Sequence, residues 1–244
     1  MCVPQPCHMP PSRANTLSAL LATLERKGSK RNRDGMARYA IVAPRAFGVS
    51  VTNLRVMAKG IGRDHALAAQ LWASGWYEAR MLATLVDDPA LVTRRQMDQW
   101  ARQFDNWAIC DTACFHLFDR TPHAWSKVDA WSRRREEFVK RAGFALIASL
   151  GVHDKKAPDV EFLRRLPLIE AAATDERNFV KKAVSWALRV VGRRNRALHA
   201  EAVELALRLK ASDARSARWI GSDAYRELTG PVVQRHLARG RGRG

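Results

Sequence analysis

Residues 14–27 read ANTLSALLATLERK, and the spacing in this stretch is repeated along most of the chain. The apolar residues Leu17, Leu20, Leu21 and Leu24 are separated by three and four positions, which places them on one face of an α-helix. Strict alternation of apolar and polar residues, the pattern of a half-buried strand, is hard to find anywhere in the sequence. The sequence therefore predicts an all-α protein.

Similar segments, each of roughly 10–16 residues, follow one another and stop at Gly, Pro, Asp or Asn, which predicts about fourteen short helices between residues 13 and 227. Apolar helices that end in charged turns recur around 76–104, 107–133, 135–165 and 177–209, at intervals close to the length of a two-helix HEAT unit. We therefore expect a HEAT-like helical-repeat solenoid, whose concave face would be able to wrap a DNA duplex. A compact helical bundle is the alternative.

The chain length of 244 residues is compatible with one elongated domain or two compact ones, and we expect one domain over 13–228. Residues 1–12 contain four prolines and two cysteines and lack the features of a signal peptide, so we expect a disordered leader. Residues 229–244 form a basic Arg/Gly-rich tail, and its last part, residues 237–244, where Arg and Gly alternate, is expected to be disordered.

The charge balance is strongly basic, with 42 Lys and Arg against 24 Asp and Glu and a formal net charge of +18. Such an excess indicates a polyanionic partner, and nucleic acid is the first candidate. A membrane surface is disfavoured because no apolar run reaches the length needed to span a bilayer. The basic residues fall into three clusters, each of which alone is more often a solvated surface: Lys27, Lys30, Arg31 and Arg33; Arg133, Arg134 and Arg135; and Lys181, Lys182, Arg189, Arg193, Arg194 and Arg196.

The four cysteines, Cys2, Cys7, Cys110 and Cys114, lack the short loop spacing with partner His or Cys residues that a structural zinc site requires. Cys110 and Cys114 lie one helical turn apart, and we expect them to be buried thiols. This use of cysteine fits a reducing cytoplasm.

A candidate catalytic group lies at residues 105–111, which read DNWAICD. The spacing of four places Trp107 and Asp111 on one helical face, one turn apart. An Asp inside an apolar helix is poorly explained by helix propensity, which favours Asp at caps. The simplest interpretation is a carboxylate paired to a neighbouring Arg in the helical stack, and a catalytic carboxylate is the alternative.

At this point the sequence resembles the AlkD-like DNA alkylation repair glycosylases, over roughly residues 15–227. Residues 47–55 (FGVSVTNLR) are similar to that family's early glycine-containing turn and the helix after it. Trp107 and Asp111 resemble the family's catalytic pair, residues 138–142 (FVKRA) its active-site Arg segment, and residues 179–189 (FVKKAVSWALR) the helix that bears its second cleft Trp. The family positions are thus filled by Trp107, Asp111, Arg141 and Trp186.

The resemblance implies a monofunctional glycosylase that removes positively charged N3- or N7-alkylated purines from double-stranded DNA, without a metal or organic cofactor. It assigns Asp111 as the catalytic carboxylate, with Trp107 and Trp186 against the sugar and backbone of the damaged nucleotide, and Arg141 as a phosphate ligand. The base would stay largely stacked. Further contacts to the DNA backbone are expected from Lys140, Lys181, Lys182 and Arg189. The protein would act as a monomer in the cytoplasm, associated with the nucleoid when bound to DNA.

Two other classes of function remain open. A noncatalytic HEAT-repeat protein could use the basic surface to recognise distorted or branched DNA. A protein-interaction scaffold is a frequent use of helical solenoids, although the +18 charge disfavours it.

Overall fold

The computed structural model describes residues 15–239, and within that range the secondary structure is helical, with no strand. The α-helices are α1 Leu17–Lys27, α2 Lys30–Gly35, α3 Val51–Ile61, α4 His65–Ala73, α5 Tyr77–Val86, α6 Arg94–Ala101, α7 Trp107–His116, α8 Ala124–Trp131, α9 Glu137–His153, α10 Asp159–Leu163, α11 Leu166–Ala172, α12 Asn178–Arg193, α13 Arg196–Lys210, α14 Arg215–Leu228 and α15 Pro231–Arg239. Two 3₁₀ helices, Met36–Tyr39 and Phe118–Arg120, join them. None of these helices is both long and apolar enough to cross a membrane. The prediction of an all-α protein is confirmed.

The chain divides into two compact units, and the boundary lies between Asp88 and Pro89. The single domain expected over 13–228 includes parts of both units. The leader at 1–12 lies outside the described residues, and so do residues 240–244 of the tail. The helix α15 occupies Pro231–Arg239 and buries Val233 and Leu237, which are one turn apart, so residues 237–239 are helical where disorder is expected.

Unit 1 is built on α5, which packs against α1, α3 and α4. Its buried Glu78 carboxylate accepts hydrogen bonds from the backbone N–H groups of Phe47, Gly48 and Val49, at 2.9, 2.6 and 3.1 Å. The Phe47 ring stacks on Trp76 at a centroid distance of 4.1 Å. A buried carboxylate thus holds the glycine-containing turn that precedes α3, because it satisfies backbone donors that no helix or strand would satisfy.

Unit 2 contains a row of four helices in the order α7, α9, α12 and α14, each in contact with the next. The helices that precede three of them in sequence pack onto the row: α8 on α9, α11 on α12, and α13 on α14. Each consecutive pair buries its apolar face only when the next pair is stacked on it, as in helical-repeat proteins. The prediction of stacked helix pairs is confirmed here.

Close packing inside this stack depends on Gly143 of α9. A Cβ atom at this position would lie 2.6 Å from the backbone nitrogen of Ser132, the residue that ends α8. We expect Gly143→Ala to lower the free energy of unfolding by about 1–3 kcal/mol, although alanine favours helix by about 1 kcal/mol, because overpacking against backbone has no flexible neighbour to relieve it. The measurement is urea denaturation followed by circular dichroism.

Gly60 of α3 provides the matched control, because a Cβ atom there meets nothing within 4 Å. Gly60→Ala is expected to leave stability unchanged or to raise it by up to about 1 kcal/mol. If both alanine variants were equally stabilised, the close approach of α8 to Gly143 would be wrong.

Candidate functional site on unit 2

The centre of the site is an ion pair between α7 and α9. Asn106 caps the start of α7 by accepting a hydrogen bond from the Ile109 N–H at 3.0 Å, and this places Asp111 in the second turn of the helix. Arg141 donates from Nε to Asp111 Oδ1 at 2.9 Å and from Nη2 to Asp111 Oδ2 at 2.7 Å. Both carboxylate oxygens are therefore held by one planar guanidinium, a geometry that fixes the orientation of the carboxylate.

The same guanidinium also reaches α12, because Arg141 Nη1 donates to the backbone carbonyl of Phe179 at 2.6 Å. Its side chain is only 8% exposed, whereas that of Asp111 is 18% exposed. Arg141 is expected from the resemblance to hold a DNA phosphate. In the structure each of its three nitrogens donates to Asp111 or to Phe179, and this arrangement orients the Asp111 carboxylate.

The electrostatics of the pair follow from its burial. Burial raises the pKa of Asp111 above its ordinary value, and the charge and hydrogen bonds of Arg141 oppose this rise. For Arg141, burial lowers the pKa, but the facing carboxylate outweighs it and the net pKa is raised. Arg141 therefore favours the ionised form of a carboxylate that burial alone would push towards the neutral acid.

Aromatic side chains continue the line of Trp107 and Asp111 along α7. Phe115 follows Asp111 by four residues, so these three side chains share one face of the helix at successive turns. Phe115 stacks on Trp186 of α12, with ring centroids 4.9 Å apart and an interplanar angle of 3°. The second predicted tryptophan is thus connected to the Asp111 helix through Phe115, a residue that the sequence analysis does not single out although the spacing of four already indicates it.

His153, at the end of α9, is a further neighbour of this aromatic pair. Its ring meets Phe115 edge-on, with centroids 5.4 Å apart, and its Nδ1 hydrogen-bonds the buried carboxylate of Asp119. Ser149 donates to the same carboxylate. Nothing in local spacing indicates this cluster, since Asp119 lies in the 3₁₀ helix after α7 and reaches α9 only through the packing of the two helices.

The four other cations expected to contact the DNA backbone differ in their partners within the protein. Lys140 is paired with Asp175 at 2.9 Å, and Arg189 pairs with Glu227 and Asp223 of α14. The charges of these two residues are therefore largely matched within the protein. Lys181 lies over the Trp219 ring, and Lys182 is exposed one turn before Trp186. The spacing of four places Lys182 on the same face of α12 as Trp186.

The two cysteines of α7 have a structural role. Cys110 and Cys114 are free and buried, as predicted, and their Sγ atoms donate to the backbone carbonyls of Phe138 and Ala142 in α9. Burial raises the pKa of Cys114 well above its ordinary value. Cys110, beside Asp111, thus belongs to the packed interface between α7 and α9. Cys2 and Cys7 lie outside the described residues.

Comparison with known proteins agrees with this architecture. A solved structure from a new family of proteins related to the HEAT-like repeat DNA glycosylases, with affinity for branched DNA structures, superposes with a TM-score of 0.72. It is 21% identical to this chain, and the match covers 92% of this chain and 94% of that one. At this identity the likeness shows a shared HEAT-like fold. No curated protein matches the sequence.

The family of this chain is shown by a sequence pattern that spans most of its length. The pattern that describes the DNA alkylation repair enzymes matches residues 20–228, most of the chain. This range includes the Asp111–Arg141 pair, Phe115 and Trp186. The chain therefore belongs to the DNA alkylation repair enzyme family.

Proposed function

We propose that this protein is a monofunctional DNA glycosylase that hydrolyses the N-glycosidic bond of positively charged N3- or N7-alkylated purines in duplex DNA. The observation that carries the proposal is Asp111, a partly exposed carboxylate inside a helix, held at both oxygens by Arg141 and flanked on its own helical face by Trp107 and Phe115. A carboxylate oriented beside aromatic rings, by a guanidinium that favours its ionised form, is suited to stabilise a cationic transition state.

The chemistry requires little acid catalysis. An alkylated purine that already carries a positive charge leaves with the electron pair of the C1′–N9 bond and becomes neutral. The deoxyribose then develops oxocarbenium character, which a fixed carboxylate stabilises electrostatically. Each Asp111 oxygen keeps a lone pair beyond its bond to Arg141, so the same group can accept a proton from the attacking water.

The surrounding residues supply binding and orientation. Trp107, and Trp186 stacked on Phe115, offer electron-rich faces to the sugar and backbone of the damaged nucleotide. Lys182 is exposed one turn before Trp186, and we assign it to the adjacent phosphate. An ammonium group can make this contact without the planar alignment that a guanidinium requires. Backbone contacts of this kind would leave the base stacked in the duplex, and a single chain would be sufficient.

A noncatalytic function in recognising branched DNA is the second candidate. The observation that favours it is the structural match, since the matched family is described by its affinity for branched DNA structures. Like the glycosylase, a noncatalytic DNA-binding protein would need a basic surface. It would not need an ionised carboxylate at Asp111. Base release therefore separates the two candidates.

The test is incubation of the purified protein, without added metal, with a duplex that carries one N7-methylguanine. Strand breaks are quantified after alkaline cleavage, and spontaneous depurination of the same duplex is subtracted. We expect release well above the spontaneous rate. Binding to the duplex without excess release would reject the glycosylase proposal and favour the branched-DNA candidate, which a competition between junction and linear DNA would then examine.

A further inference from the structure

Trp219 is an exposed aromatic residue outside the site described above. It lies on α14 with 40% of its surface accessible, whereas Trp72, Trp100 and Trp131 are buried in the helical stack. The ammonium group of Lys181, on α12, lies 5.1 Å from the centre of the Trp219 ring. The Trp219 ring therefore has a cation against it and keeps much of its surface accessible to a partner.

The position of Trp219 is fixed by the register of α12 against α14. Ser185 donates to Asp223 at 2.7 Å one turn further along both helices, and Arg189 pairs with Glu227 one turn beyond that. The Lys181–Trp219 contact is therefore the first of three contacts spaced by four residues on each helix. Because these contacts fix α14 against α12, the position of Trp219 is set before any partner binds.

The charge around the ring is positive. The exposed residues of α14 include Arg215 and Arg218 as well as Trp219. The helix's carboxylates, Asp223 and Glu227, contact α12, and Asp223 also pairs with Arg226 at 2.6 Å. Arg218 is held beside the first turn of the helix, since its Nη1 donates to the carbonyls of Ser212 and Asp213 at 3.1 and 2.6 Å. An aromatic face within a basic surface is complementary to a nucleobase and its phosphate.

We infer that Trp219 and Lys181 form a stacking platform for an unpaired nucleobase, separate from the Asp111 site. The platform would hold a single-stranded segment that adjoins the duplex, with the base on the indole and the neighbouring phosphate on Lys181, Arg215 or Arg218. Every base has a π-face, so the contact is expected to be tolerant of sequence. The inference rests on the proposed function only in that the partner is nucleic acid.

The experiment measures the affinity of the full chain for two fluorescein-labelled DNAs by anisotropy at one fixed salt concentration: a blunt duplex, and the same duplex with a short single-stranded tail. We expect the wild-type protein to bind the tailed DNA more tightly. Trp219→Ala is expected to weaken binding to the tailed DNA by about tenfold, as for the loss of one stacked base, and to leave binding to the blunt duplex unchanged. Trp219→Phe is expected to retain most of the difference.

Leu207→Ala is the matched control, because Leu207 is a similarly exposed apolar side chain on α13 and should not affect either DNA. Equal affinity of Trp219→Ala and wild type for the tailed DNA would overturn the inference and leave the ring as a surface for a protein partner. So would a wild-type protein that does not distinguish the two DNAs.

Release of N7-methylguanine from a blunt duplex by Trp219→Ala separates this inference from the proposed function. We expect release at the wild-type rate, because Trp219 is not part of the Asp111 site. If the wild-type protein released no base and Trp219→Ala still lost affinity for the tailed DNA, the platform would stand and the glycosylase proposal would fall.

Discussion

Asp111→Asn is expected to reduce the rate of N7-methylguanine release by about 100- to 1000-fold, with little change in affinity for the undamaged duplex. Asparagine has nearly the same shape but no charge, so it removes the electrostatic stabilisation of the oxocarbenium-like transition state and the acceptor for the water proton. A loss of this size is typical when one preorganised group is removed from a charged transition state. The measurement is single-turnover release from the duplex with one N7-methylguanine.

The control must separate loss of chemistry from loss of a buried ion pair, since Asp111→Asn also leaves Arg141 without its counter-charge. Asp98 is suitable because its carboxylate also pairs with a cation of the next helix pair, Lys127, at 2.7 Å, and accepts from Trp131 Nε1 at 2.9 Å. Asp98→Asn should cost stability without slowing base release. If the two variants slowed release equally at a temperature where both are folded, Asp111 would have only a structural role.

Arg141→Gln is expected to have two measurable effects. It should lower the free energy of unfolding by about 3–5 kcal/mol, since it leaves a largely buried carboxylate without its partner. It should also move the acidic limb of the pH profile of base release to higher pH. The sign follows from the environment of Asp111, because burial raises its pKa and Arg141 is what opposes the rise. Release needs the carboxylate ionised, so a higher pKa shifts the loss of activity upward in pH.

A variant of Arg165 is the control that separates the positioning of Asp111 by Arg141 from a general loss of stability. Arg165 is 2% exposed and pairs with Glu161 and Asp129, so Arg165→Gln removes a comparably buried guanidinium from ion pairs in the same unit but away from Asp111. We expect it to lower stability without moving the pH profile. Arg141→Lys, which retains the charge but loses the planar fork, is expected to fall between wild type and Arg141→Gln in its pH profile. A profile unchanged in Arg141→Gln would contradict the positioning role.

Most of the helices could be predicted because the apolar spacing and the capping residues that indicate a helix lie within or next to that helix. Leu20 and Leu24 are buried at a spacing of four on α1, and Asp64 caps α4 as its position before an apolar run predicts. Local information also has limits, because the helix α15 lies within the Arg/Gly-rich tail and extends to Arg239, where the composition indicates disorder. In α15, burial of Val233 and Leu237 outweighs composition, and that burial depends on the surface the helix meets.

The sequence by itself determined that the protein is helical and strongly basic, and that Trp107 and Asp111 share a helical face, because helix periodicity and charge depend only on the order of residues. Only the tertiary structure decided which cations remain available for DNA. Arg141 faces Asp111, Lys140 faces Asp175 and Arg189 faces Glu227, and each of these partners lies about 30–40 positions away in the sequence. The physical reason is that ion pairs depend on distance in space, which for residues in different helices is set by how the helices stack.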